Sequence, residues 1–137
     1  MKKKSIIIVL AGAFTLLSGC RRTEPAAQLG PRVVTQVSVT CLDGSEQLQR
    51  HYSQDETMQG ILEYLRHVEP LGASDVQFAE LTRTYFEITV TCSDGHTEVY
   101  EQCANRYFRQ DPGVWQSIDP EKAEALTQFI ENTPSDL

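Results

Sequence analysis

Four cysteines and three histidines are the residues of this 137-residue chain best suited to hold a metal ion. Cys92 and His96 lie four positions apart, which resembles the spacing of zinc ligands. Alternation along the strand predicted there places Cys92 toward the core and His96 on the opposite face. His51 and His67 have no cysteine or second histidine beside them. We therefore expect no metal site and no cofactor.

The sequence carries none of the short motifs that mark common catalytic centres. It has no Gly-x-Ser-x-Gly elbow, no His-Glu-x-x-His helix and no glycine-rich phosphate loop. Its nineteen acidic residues are scattered, so no pair of carboxylates stands out as a general acid and base. We expect a protein that is not an enzyme.

One group of residues has the composition of a binding surface: Arg106, Tyr107, Phe108, Arg109 and Trp115. Tyrosine, tryptophan and arginine are enriched in the hot spots of protein interfaces. These five residues are our candidate binding site. The alternative is that every second residue packs on the core while the arginines pair with nearby acids.

The N-terminus has the features of a secretory signal. Lys2 to Lys4 precede the apolar run Ile6 to Leu17, and Ser18-Gly19-Cys20 follow. The ending Leu-Ser-Gly-Cys resembles the lipobox of bacterial lipoproteins cut by signal peptidase II. The resemblance implies that residues 1–19 are removed and that Cys20 carries a diacylglyceryl anchor.

The resemblance also bears on location. In bacteria with two membranes, lipoproteins with Asp after the lipidated Cys tend to stay at the inner membrane. Arg21 follows Cys20 here, so this rule allows a location at the outer membrane. In a bacterium with one membrane, the same protein would lie on the outer face of that membrane.

Residues 20–32 contain two prolines and a glycine but no apolar periodicity, which predicts a flexible tether. We expect a single folded domain over residues 33–137.

The domain contains an internal repeat. Residues 37–44 (VSVTCLDG) and 88–95 (ITVTCSDG) agree at five of eight positions, and each copy ends in the Asp-Gly typical of hairpins. In the first copy, Val37, Val39, Cys41, Leu48 and Tyr52 should share the inner face. In the second, a two-residue turn places Phe86, Ile88, Val90, Cys92, Val99 and Cys103 inward, and Thr89, Thr91, His96, Glu98 and Tyr100 outward.

A helix should follow each hairpin. Residues 53–56 form a capping-box pattern before Met58, Ile61, Leu62, Leu65 and Val68. Asp119-Pro120 should begin a second helix, with Ala123, Leu126, Phe129 and Ile130 on one stripe. Residues 106–116 read as a small hairpin around Pro112-Gly113.

These elements predict an α+β domain: an antiparallel sheet of four to six strands with two amphipathic helices on one face. A ββα unit used twice would explain the repeat, although Asp-Gly hairpins also resemble one another by chance. Cys92 and Cys103 lie too far apart along their hairpin for a disulfide. Pairing of Cys41 with either of them stays open.

The net charge of the chain excludes one class of function, nucleic-acid binding. Without residues 1–19 the chain loses three lysines and no acid, so its net charge falls from −7 to about −10. A nucleic-acid binder needs a basic face, so we expect none. We expect an envelope lipoprotein that binds or supports another envelope protein or a wall component. The alternative is an inhibitor of a secreted hydrolase such as lysozyme.

Cys20→Ala should abolish the incorporation of labelled palmitate, because the substitution removes the thiol that receives the lipid. The measurement is metabolic labelling followed by immunoprecipitation of the full chain. Labelling that persists in the variant would show that Cys20 is not the lipidated residue.

Overall fold

The computed structural model describes residues 26–76 and 84–136, which form eight strands and two helices. Their bounds are β1 Gln28–Leu29, β2 Arg32–Asp43, β3 Glu46–Tyr52, α1 Asp55–Arg66, β4 Gly72–Ala73, β5 Tyr85–Cys92, β6 Thr97–Cys103, β7 Tyr107–Gln110, β8 Gln116–Ser117 and α2 Pro120–Asn132. The α+β class is confirmed. The predicted strand number was too low because the prediction missed β1 and β4, which have two residues each, too few to show a period of two.

One antiparallel sheet contains all eight strands. Its order is β1-β2-β5-β6-β7-β8-β4, and β3 also pairs with β2. The long strand β2 therefore pairs with β5 along one edge and with β3 and β1 along the other. The small hairpin predicted around Pro112-Gly113 is confirmed by the pairing of β7 with β8.

The first repeated hairpin has the predicted faces. Asp43 pairs with Glu46 around a two-residue loop, in which Gly44 has a φ of +67° as in a type II′ turn. Val37 then lies opposite Tyr52, and Cys41 opposite Leu48. All the residues predicted for the inner face of this hairpin share one face.

The second hairpin uses a different turn, and this reverses one predicted strand. The Gly95 amide donates to the Cys92 carbonyl, and Gly95 adopts a φ of +89°, as in a three-residue loop. Ile88 therefore pairs with Tyr100, and Thr89 with Val99. The prediction is correct for β5 but wrong for β6: Glu98, Tyr100 and Gln102 share the inner face, whereas Val99 and Cys103 belong to the outer face.

Cys41 and Cys92 are free thiols. Cys41 neighbours Phe86 on β5, six residues from Cys92, a separation of about 20 Å. Cys103 is two strands away from Cys41, about 10 Å, and on the other face. Neither pairing that the sequence left open meets the limit of about 7 Å between Cα atoms.

Helix α1 buries the predicted stripe but is not capped as predicted. Its N-cap residue is Gln54, without a side-chain cap, so no capping box forms. The Asp136 carboxylate instead accepts hydrogen bonds from the amides of Ser53, at 2.6 Å, and Gln54, at 3.2 Å. A carboxylate at this position stabilises the helix because it lies at the positive end of the helix dipole. The segment after α2 thus holds the start of α1.

Helix α2 begins as predicted, with Pro120 in the first turn and the Asp119 carboxylate accepting from the Glu121 amide at 2.9 Å. In the described residues no helix is long and apolar enough to cross a membrane. Both helices bury their stripes on the inner face of the sheet in a single core. From the helices this core takes Met58, Ile61, Leu62, Leu65, Ala123, Leu126 and Ile130.

The folded domain begins earlier than predicted. Ala27 is fully buried, and its carbonyl accepts from the Val34 amide at 2.8 Å. Gln28 and Leu29 form β1, and Arg66 donates to the Gln28 carbonyl at 2.9 Å. Residues 27–32 therefore belong to the domain and not to the tether. The predicted signal at 1–19 and Cys20 lie outside the described residues.

Gln102 is a fully buried polar side chain at the centre of the core. Its oxygen accepts a hydrogen bond from the Tyr64 hydroxyl of α1. Its amide nitrogen donates to the Ala123 carbonyl of α2 at 3.2 Å. One side chain of β6 thus joins the sheet to both helices.

Gln102→Leu should lower the free energy of unfolding by about 1–3 kcal/mol, because the Tyr64 hydroxyl loses its acceptor inside the core. Adding Tyr64→Phe should recover much of this loss. Chemical denaturation gives both values. Gln49→Leu, at an exposed position, is the control and should stay within about 0.5 kcal/mol of the wild type. Equal losses for Gln102→Leu and the double variant would contradict the role assigned to this hydrogen bond.

Candidate functional site

The five residues predicted as a binding cluster do not form one surface. Phe108 faces the helices and stacks on Tyr100, with ring centroids 6.0 Å apart. Tyr107 and Arg109 point to the outer face because they alternate with Phe108 along β7. The Arg106 guanidinium lies 5.8 Å from the centroid of the Tyr107 ring.

Arg109 is held by partners within the domain. Its guanidinium donates to the Glu101 carboxylate and lies 5.1 Å from the centroid of the Trp115 ring. The hydrogen bond to Glu101 raises the pKa of Arg109. Tyr85 also donates to Glu101, and burial raises the pKa of its phenol. For Arg109 the structure thus matches the alternative that the arginines pair with nearby acids.

Two apolar cavities lie beside the C-terminal end of α1, and Val68 lines both; we call the two together the apolar groove and each of them a lobe. The helix lobe, about 460 Å³, lies between the C-terminal end of α1 and the start of α2. The hairpin lobe, about 480 Å³, lies between α1 and the β7–β8 hairpin, and Phe108 and Arg109 line it. Two of the five predicted residues therefore border the groove.

Two strongly exposed apolar side chains stand in the lining of the groove. Leu71 is 68% exposed in the helix lobe, and Val114 is 66% exposed in the hairpin lobe. Sequence reasoning missed both as site residues. Leu71 begins a stretch without apolar periodicity, and Val114 was predicted to be one residue of a short strand. Their exposure, which only the tertiary structure gives, distinguishes them.

A histidine–carboxylate contact and one ion pair lie beside the helix lobe. The His67 ring lies 3.3 Å from the Glu63 carboxylate, and Lys122 lies 3.7 Å from Glu69. The latter two side chains are 63% and 76% exposed, so this pair contributes little to stability. The groove thus has an apolar lining and a rim that carries both signs of charge.

Glu98 supports the floor of the hairpin lobe. Its carboxylate accepts from the Tyr100 hydroxyl at 2.6 Å and from the Gln110 amide at 3.0 Å, and the His96 ring lies 2.9 Å away. The hydrogen bond from Tyr100, followed by that from His96, holds the pKa of Glu98 below its usual range. Tyr100 and Gln110, which line the lobe, are therefore fixed by one ionised acid.

The geometric reason given for excluding a metal at Cys92 and His96 was wrong. The Cys92 amide donates to the His96 carbonyl at 2.8 Å, so the two residues face each other across the turn. Continuing the register puts both side chains on the face of Glu98, not on opposite faces. Within residues 26–76 and 84–136, no group of three or more His, Cys, Asp or Glu side chains could hold a metal ion.

No protein-family model, curated protein or solved structure matches this chain.

Glu98 should stabilise the domain most at neutral pH. Because its pKa is lower in the folded state, its contribution is present above the unfolded value of about 4.3 and is lost as the pH falls through the folded pKa. The difference in free energy of unfolding between the wild type and Glu98→Gln should therefore shrink from pH 7 to pH 3.

Denaturation at several pH values measures this difference. In Tyr100→Phe, which removes the main hydrogen bond to Glu98, the pKa of Glu98 should rise, and an NMR titration of its carboxyl carbon reports that rise. A wild type and a Glu98→Gln variant that lose stability in parallel on acidification would refute the assignment.

Proposed function

We propose that this chain is a lipid-anchored protein of the bacterial envelope whose domain binds another envelope protein without catalysing a reaction. The observation that carries the proposal is the pair of exposed side chains, Leu71 and Val114, in the lining of an apolar groove. Apolar side chains exposed next to an apolar cavity are typical of surfaces that a partner covers.

The shape of the groove favours a protein partner. Val68 lines both lobes, one beside the start of α2 and the other beside the β7–β8 hairpin, so a partner that fills both touches three elements. A partner that places apolar side chains in both lobes removes Leu71 and Val114 from water. The paired charges at the rim supply polar partners around an apolar centre, as in other interfaces.

The proposed lipid at Cys20 would place the domain at the membrane surface. Five residues, 21–25, separate that cysteine from Ala26, the first described residue, and an extended chain from Cys20 to Ala26 would span about 20 Å. The domain would then meet its partner within the envelope. The outer membrane, or the outer face of a single membrane, remains the proposed location.

We also propose that the two hairpins are copies of one ββα unit. Ser38 and Thr89 occupy equivalent positions of the repeat and pair with each other across β2 and β5. In the repeat, Val37 corresponds to Ile88 and Val39 to Val90. A two-fold rotation that exchanges the copies therefore moves the pair Val37–Val90 onto the pair Val39–Ile88. This local two-fold relation supports a duplication more strongly than the shared Asp-Gly does, because the two Asp-Gly turns differ.

Leu71→Ser together with Val114→Ser should abolish capture of the partner without unfolding the domain, since both side chains are mostly exposed. The measurement is crosslinking of the full-length protein in intact cells, followed by quantitative mass spectrometry. Val33→Ser, at an exposed apolar position outside the groove, is the matched control and should leave capture unchanged.

Equal capture by the wild type and the double variant would refute the groove as the binding site. A lysozyme activity assay with the same variants separates the alternative function. Inhibition of lysozyme by the wild type would make the chain a hydrolase inhibitor instead of a partner of an envelope protein.

A further inference from the structure

Strand β3 has an open edge. The His51 amide donates to the Ser135 hydroxyl at 2.9 Å, and the His51 carbonyl accepts from the Asp136 amide at 3.1 Å. The backbone groups of His51 therefore point away from β2. Hydrogen-bonding direction alternates along an antiparallel strand, so the backbone groups of Gln47 and Gln49 point the same way.

The outward groups at Gln47 and Gln49 are unpaired within the described residues. The two-residue loop gives the same result. Its closing pair, Asp43 and Glu46, is hydrogen-bonded between β2 and β3, so the residues one position further along β3, beginning with Gln47, point away from β2. Gln47 and Gln49 are both exposed. Two amides and two carbonyls thus form a template for one more strand.

The chain already uses part of this edge. Ser135 and Asp136 lie along it at His51, where the Asp136 amide makes a backbone hydrogen bond. Between His51 and the β2–β3 turn, no segment within 26–76 or 84–136 pairs with this edge. An added segment would continue the line that Ser135 and Asp136 begin.

A small cavity of about 250 Å³ opens beside the open edge, between β3 and α2. Cys41, Leu48, Phe86 and Ile130 supply its apolar surface. Leu48 faces the cavity side of the sheet, so every second side chain of an added strand would point there. The volume suits one long aliphatic side chain.

The mouth of this cavity is acidic. Asp43, Glu46 and Glu131 line it, and all three are exposed. Burial raises the pKa of the Cys41 thiol, and the carboxylates of Asp43 and Glu131 raise it further. The cation beside this mouth, Arg50, is turned onto the carbonyl of Ile130 at 3.3 Å. Arg50 keeps its positive charge, but the three carboxylates outnumber it, so these four side chains carry a net negative charge at the mouth.

We propose that the edge of β3 at Gln47 and Gln49 binds an extended, basic segment of a partner protein, which adds as a strand and places an aliphatic side chain in the cavity beside α2. Backbone hydrogen bonds supply the affinity, and the cavity with its acidic mouth selects the sequence. This surface shares no residue with the apolar groove, so the proposal stands independently of the function proposed for the groove.

The test uses the full chain in detergent and a capped fluorescent peptide of alternating leucine and threonine with lysine at both ends. Two control peptides carry glutamate in place of lysine, or N-methyl groups on alternate backbone nitrogens. Fluorescence anisotropy should show binding of the lysine peptide, weakened by salt. Affinity for either control peptide should be at least about tenfold lower.

Gln49→Pro removes an outward amide without removing a hydrogen bond between β2 and β3, since proline is tolerated at strand edges. It should weaken binding of the lysine peptide at least about tenfold. Glu131→Lys, on the exposed surface of α2, tests the acidic mouth without altering β3 and should also weaken it. Leu71→Ser with Val114→Ser should bind the peptide normally, which keeps this test apart from that of the groove.

Protection of the Gln47 and Gln49 amides from hydrogen exchange on addition of the lysine peptide would support strand addition. No binding by the wild type at millimolar peptide, or equal binding of the N-methylated peptide, would overturn the proposal. So would a dimer in sedimentation that Gln49→Pro dissolves, because the edge would then serve a second copy of this chain.

Discussion

The hydrogen bonds of Gln102 are the constraint on which the rest of the fold depends. A buried amide must find partners for both its donor and its acceptor, and here they come from Tyr64 of α1 and Ala123 of α2. These contacts set where each helix lies over β6. Tyr64 lines the helix lobe, so one wall of the groove is positioned by a side chain that does not itself line it.

Much of the fold could be predicted because it is locally encoded. Apolar spacing identified both helices, and Asp119-Pro120 fixed the start of α2. The inner face of β6 could not be predicted, because Asp-Gly fits two kinds of turn. Gly44 occupies a two-residue loop and Gly95 a three-residue loop, and one extra residue exchanges the faces of the strand that follows. The predicted capping box of α1 was wrong for a different reason. The residue that holds the start of this helix, Asp136, lies more than eighty residues away along the chain.

The candidate site was harder to predict than the fold. Composition identified Phe108 and Arg109, which line the groove, but it also selected Arg106, Tyr107 and Trp115, which do not line it. Leu71 and Val114 belong to connecting segments whose exposure depends on how α1, α2 and the β7–β8 hairpin meet. A surface made of several chain segments leaves no pattern in any one of them.

The pairing of β1 with β2 has a mechanical consequence. A pull applied through the residues before Ala26 first reaches Ala27, which is fully buried, and then two residue pairs, Gln28–Val33 and Leu29–Arg32, next to a tight turn at Gly30. Such a pull separates the residue pairs of β1 and β2 one after the other instead of all at once. Release of residues 26–32 adds about 20 Å of chain while β2 stays held by β3 and β5. The start of the domain can therefore lengthen under tension once Ala27 leaves the core, while the pairing of β2 with its other neighbours is kept.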